Sequence, residues 1–161
     1  MTASDEKIRV AVCDDHDLFR RGVVEMLSCV GDIEVVAEAA THEEVVAAVS
    51  EHEPDVVLLD LEMPGGVIGA DESMSRMLGL SPPPRVVVFT MHDEPGMVRR
   101  FLSRGATVYI TKSVKMGDLV GAVRDAARID FEPPEREADT PLAPGDTCDA
   151  PPKNEHGKRD R

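Results

Sequence analysis

Short apolar runs alternate along the chain with stretches whose apolar residues recur every three or four positions, the pattern of repeated strand–helix units. Ile8 to Cys13 reads as a first strand. Asp17 is placed to cap the helix after it, in which Phe19, Val23, Met26, Leu27 and Val30 lie at helical spacing. Gly31 and Asp32 end that helix, and a second strand runs from about Glu34 to Ala39. Thr41 with Glu44 three residues on forms a capping-box pattern, opening a helix that carries Val45, Val46 and Val49 on one face. Val56 to Leu59 form the third strand, followed by a Met63-Pro64-Gly65-Gly66 turn and a weaker helical pattern with Met74, Met77 and Leu78. Pro82 to Pro84 give a stiff lead into a fourth strand, Arg85 to Phe89. Pro95 suits a helix start, Val98, Phe101 and Leu102 line that helix, and Gly105 ends it. Val108 to Thr111 make the fifth strand, and a last helix spans about Lys115 to Arg128 with Leu119, Val120, Val123 and Ala127 inward.

Strands alternating with helices in this way predict an α/β fold. A doubly wound five-stranded parallel sheet, covered by helices on both faces, gives a three-layer αβα sandwich. Residues 1–6 form a lead, 7–129 the folded domain and 130–161 a tail. That tail is acidic, rich in proline and nearly free of apolar residues, so it is expected to be disordered and to hold no DNA-binding domain.

Charge narrows the function classes. A net charge of -13 over 161 residues, with a pI near 4.7, makes direct nucleic-acid binding unfavourable. Cys13, Cys29 and Cys148 lack metal-ligand spacing, and their odd number argues against a disulfide framework, so a reduced, cytoplasmic chain is expected. No apolar run has the length for a membrane span.

Four of the apolar runs end on residues suited to phosphoryl chemistry: Asp14-Asp15, Asp60, Thr90 and Lys112. In a parallel sheet their carboxyl ends share one edge, where open α/β folds bind ligands. Singly, each has a plainer role: turn former or cap for the acids, strand residue for Thr90, exposed strand-end charge for Lys112. Their joint order favours the chemical reading. His16 and His92 flank the same edge and are expected to be solvated loop histidines, while Met74, Met77 and Met97 are expected to fill the core.

The segment from Lys7 to Arg128 resembles the receiver domain of two-component response regulators. An acidic pair ends the first strand, LDLEMPG surrounds Asp60, Thr90 ends the fourth strand, and Lys112 follows the fifth with Tyr109 three residues before it. DDHDLFRRG, FTMHDE and the Lys-Ser junction are similar to the NarL/FixJ (LuxR-type) subgroup. The resemblance implies a CheY-like, flavodoxin-like (βα)5 fold with strand order 2-1-3-4-5. It implies Asp60 as phosphoacceptor from a sensor histidine kinase, with Thr90 and Lys112 contacting the phosphoryl group. Asp14, Asp15, Asp60 and the Glu62 backbone carbonyl would hold Mg²⁺. Thr90 and Tyr109 would form the switch, although a packing role for Tyr109 is equally open. The switch would reshape a face that includes Val98, Arg99, Leu102, Tyr109, Leu119 and Val123, and a residue near His92 or Glu62 would tune phosphate loss to water. Such a chain regulates transcription through protein contacts. An output protein or DNA-binding domain outside it and a possible homodimer are implied, and no enzyme activity beyond self-phosphorylation and slow autodephosphorylation.

Two departures stand out. The family commonly places Asp or Asn before a Gly after the MPG turn, whereas here Ile68 precedes Gly69, so the third helix is expected to start late or irregularly. The tail also lacks the length and periodicity for a helix-turn-helix. Two other readings remain: a phosphate-independent, receiver-like interaction module, and an aspartyl-phosphate hydrolase of the haloacid dehalogenase kind. The latter's nucleophile sits in a DxD motif after its first strand, whereas Asp60-Leu61-Glu62 follows the third.

Overall fold

The computed structural model describes residues 6–64 and 66–129. The expectations for the tail, Cys148 and almost all of the lead lie outside these residues. The element order is β1 (Ile8–Cys13), α1 (Asp17–Ser28), β2 (Ile33–Ala39), α2 (His42–His52), β3 (Val56–Leu59), α3 (Gly66–Leu78), β4 (Arg85–Thr90), α4 (Pro95–Ser103), β5 (Val108–Thr111) and α5 (Met116–Arg128). All neighbouring strands are parallel, in the order β2-β1-β3-β4-β5.

Strand alternation divides the core between two sheet faces. Ala11, Cys13, Val57, Leu59, Val86 and Val88 point to the side covered by α2, α3 and α4, where Val45, Val49, Met74, Met77 and Phe101 are buried. Val10, Val12, Val56, Leu58, Val87 and Phe89 point to the other side, against Val23, Leu27, Leu119, Val123 and Ala126 of α1 and α5. Because both faces are covered, these strands read as continuous apolar runs.

The local signals act as their chemistry requires, with a few corrections. Thr41 Oγ1 accepts the Glu44 amide, while the Glu44 carboxylate takes the Ala40 amide, so the start of α2 is capped from both directions. At the end of α4, Gly105 takes φ 111°. Its amide donates to Leu102 O and that of Ala106 to Phe101 O, a Schellman ending that favours glycine. Asp17 does not cap α1: His16 occupies the cap position without a side-chain bond, and Asp17 pairs with Arg20 instead. Ala126 is the deeply buried residue near the end of α5, with Ala127 only partly covered.

Helix α3 begins at Gly66, the last residue of the expected turn, which corrects the expected late start. The glycine at position 69 has a packing reason. A Cβ at Gly69 would lie 3.1 Å from the His42 ring, so a missing side chain lets α3 close on the start of α2.

Candidate functional site

The sheet carries Asp14, Asp60, Thr90 and Lys112 to one edge by extending its ladder. Cys13 lies beside Leu59 and Thr90 beside Thr111. The Asp60 amide then donates to Cys13 O at 3.0 Å and the Lys112 amide to Thr90 O at 2.8 Å. Asp14 and Asp60 are each only 3 % exposed, Thr90 is fully buried, and Asp15 is exposed.

Lys112 joins the two buried carboxylates. Its Nζ lies 2.6 Å from Asp14 Oδ2 and 2.8 Å from Asp60 Oδ2. The remaining oxygens are held by the backbone: Asp14 Oδ1 accepts the His16 amide at 2.8 Å, and Asp60 Oδ1 accepts the Glu62 amide at 3.0 Å. Burial by itself would lower the Lys112 pKa, yet the hydrogen bonds and charges of Asp14 and Asp60 raise it above the ordinary lysine value. The ammonium also sits 4.6 Å from the centroid of the Phe19 ring, and Phe19 in turn packs on Phe89 at 5.6 Å.

Asp14, Asp15 and Asp60 each offer a carboxylate oxygen, all within 4.8 Å of one another. One ammonium against three carboxylates leaves the cluster with surplus negative charge and hard oxygen donors. That donor set fits a hard divalent cation.

The flanking residues form a second network. Tyr109 donates its hydroxyl to the His92 carbonyl at 2.8 Å, its ring packs against the α2–α3–α4 side, and burial raises its pKa. The Thr90 hydroxyl oxygen lies 3.5 Å from the His92 amide. His92 is not a plain solvated loop residue: its Nε2 stands 2.6 Å from Glu62 Oε1 and its Nδ1 3.6 Å from Glu94 Oε2. Slight burial disfavours the charged ring, but the two carboxylates outweigh it and raise the His92 pKa. His16 is exposed, as expected.

Several contributors were not evident in the sequence. Arg20 donates to the Asp14 carbonyl at 2.7 Å. Buried His42 lies 3.2 Å from Ser73 Oγ and 3.5 Å from the Leu61 carbonyl, and burial lowers its pKa. Their only sequence signal is polarity at partly buried helix positions. Leu119 and Val123 are 0 % exposed in the α1–α5 core, so they leave the expected signalling face; the helical period of α5 turns them under the sheet. Arg99 and Leu102 are exposed, and Val98 and Tyr109 half-buried. Cys13 and Cys29 are free thiols, and burial pushes that of Cys13 well above its ordinary pKa.

A sequence model of the response regulator receiver domain matches residues 10–124. The chain is 39% identical over 123 residues to a probable transcriptional regulatory protein NarL of Mycobacterium tuberculosis, covering 76% of this chain and 56% of that protein. It is 40% identical over 117 residues to the response regulator GacA of Pseudomonas viridiflava, covering 73% and 54%. The chain thus spans little more than half the length of these curated relatives. Among solved structures, the signal receiver domain of the putative response regulator NarL from Mycobacterium tuberculosis is 42% identical with a TM-score of 0.68, covering 76% of this chain and 97% of that one. The response regulator domain of Thermotoga maritima CheB aligns with a TM-score of 0.71 at 27% identity, covering 78% and 100%. Among the described residues no helix is long and apolar enough to cross a membrane. Fold, acidic edge and relatives converge: this chain belongs to the response regulator receiver family of two-component systems and is similar to NarL/LuxR-type regulators.

Proposed function

We propose that Asp60 accepts a phosphoryl group from a sensor histidine kinase and that this event switches the protein contacts of a cytoplasmic transcription regulator. The observation that carries the reading is the Lys112 ammonium held between Asp14 and Asp60, which with Asp15 place three carboxylates within 4.8 Å of one another. In the transfer, an Asp60 carboxylate oxygen forms the new P–O bond as the P–N bond of the phosphohistidine breaks and the imidazole leaves. Lys112 places positive charge where the phosphoryl oxygens gather it, and Thr90 supplies a hydroxyl donor. Asp14, Asp15, Asp60 and the Glu62 carbonyl would hold Mg²⁺, which supplies charge neutralisation for two approaching anions. Thr90 and Tyr109 meet at His92, through its amide and its carbonyl, which supports their pairing as a switch. The chain acts as a receiver and not as a turnover enzyme, apart from its own phosphorylation and slow dephosphorylation. Its relatives' names support transcription as the output, delivered through an output protein or a DNA-binding domain beyond these residues, with isologous homodimerisation as one route.

The test is intact mass after incubation with Mg²⁺ and acetyl phosphate. One added phosphoryl group is expected, absent from Asp60→Asn and from the metal-free protein. An adduct that survives in Asp60→Asn would overturn the assignment of the acceptor. Phosphate-dependent partner binding that persists in Tyr109→Ala would overturn the switch.

A further inference from the structure

We propose that Arg20 is a positioning residue for the acidic turn that holds the metal. Its side chain is 14% exposed, and its guanidinium is shared among three structural elements. Nη1 donates to the Asp14 carbonyl at 2.7 Å, Nη2 to Asp17 Oδ1 at 2.5 Å, and Nε to Glu38 Oε1 at 3.1 Å. One planar fork therefore ties the end of β1 to the first turn of α1 and to the edge strand β2. Asp14 is fixed from all sides: Arg20 holds its carbonyl, the His16 amide one carboxylate oxygen, and Lys112 the other. Partners that orient the ligating residues commonly govern metal affinity.

The sign of the effect separates position from charge. A cation beside three carboxylates opposes a second cation by Coulomb's law, so Arg20 acting only through its charge would weaken metal binding. Arg20 acting by position strengthens it. Lysine keeps the charge but presents a compact ammonium that cannot reproduce the three-way fork.

The inference rests on the reading that the acidic cluster holds Mg²⁺. The experiment is a titration of the full chain with MgCl₂, without a phosphoryl donor, followed through the backbone amide NMR shifts of Asp14, Asp15 and Asp60. Arg20→Met is expected to raise the Mg²⁺ dissociation constant roughly tenfold or more, and Arg20→Lys several-fold. Tighter or unchanged binding by Arg20→Met would overturn the inference while leaving the metal reading intact. A wild-type chain with no saturable response would overturn both. Should Arg20→Met fail to fold, Arg20→Lys decides: parity with wild type overturns the proposal and a several-fold loss supports it.

Discussion

The imidazole of His92 stands 2.6 Å from the carboxylate of Glu62, joining the loop after β4 to the loop after β3 across the mouth of the site. Neither residue is close to the other in sequence, and each lies two positions beyond a candidate phosphoryl-handling residue, Thr90 and Asp60.

That pairing gives a pH dependence. The folded His92 pKa is raised above its ordinary value of 6.5, so the charged pair stabilises the fold fully below the unfolded value. The contribution fades as pH rises through the folded pKa. Histidine NMR titration should place His92 above the ordinary histidine value of 6.5, and Glu62→Gln should bring it down. A His92 pKa unmoved by Glu62→Gln would contradict the pair.

Among the described residues, Lys112 is the only cation ion-paired with the carboxylates of Asp14 and Asp60. Lys112→Met leaves two adjacent buried carboxylates uncompensated, at a cost of order 3 kcal/mol near neutral pH. Their mutual repulsion should be relieved when one charge is removed as well, so Lys112→Met combined with Asp14→Asn should recover part of the loss. Urea unfolding of the single and double variants measures both effects. Additive losses in the double variant would exclude the electrostatic account.

Glycine positions on the helices should respond with opposite signs. Gly69→Ala places a methyl 3.1 Å from a His42 ring that Ser73 and Leu61 hold in place. Overpacking should outweigh the gain in helix propensity, with a net loss on the order of 1 kcal/mol. Gly22→Ala meets nothing within 4 Å and should stabilise α1 by about 0.5–1 kcal/mol. Denaturant midpoints compare the two, and a stabilising Gly69→Ala would show that the α2–α3 contact is loose.

Much of the fold is written locally. Short apolar runs and helical apolar patterns set the strands and helices, and Thr41 with Glu44 or Gly105 after α4 set element ends, because each such signal lies within a few residues of its effect. The same locality places Asp14, Asp60, Thr90 and Lys112 at strand ends, so the acidic edge follows once the strands are parallel. Gly69 was legible as a residue of the family pattern but not as a close approach, since the His42 ring that requires it comes from another helix.

The alternation of elements and the chemistry waiting at four strand ends were therefore readable from local pattern alone. Which groups those ends meet was settled by the folded arrangement. Arg20 grips Asp14 together with Glu38 of the next strand, His92 finds Glu62 thirty residues away, and Lys112 reaches Asp14 across 98 residues of chain. Leu119 and Val123 turn inward because α5 lies on the sheet. Periodicity and capping are short-range properties of a chain, whereas ion pairs and burial depend on distances that exist only after the strands have found their order.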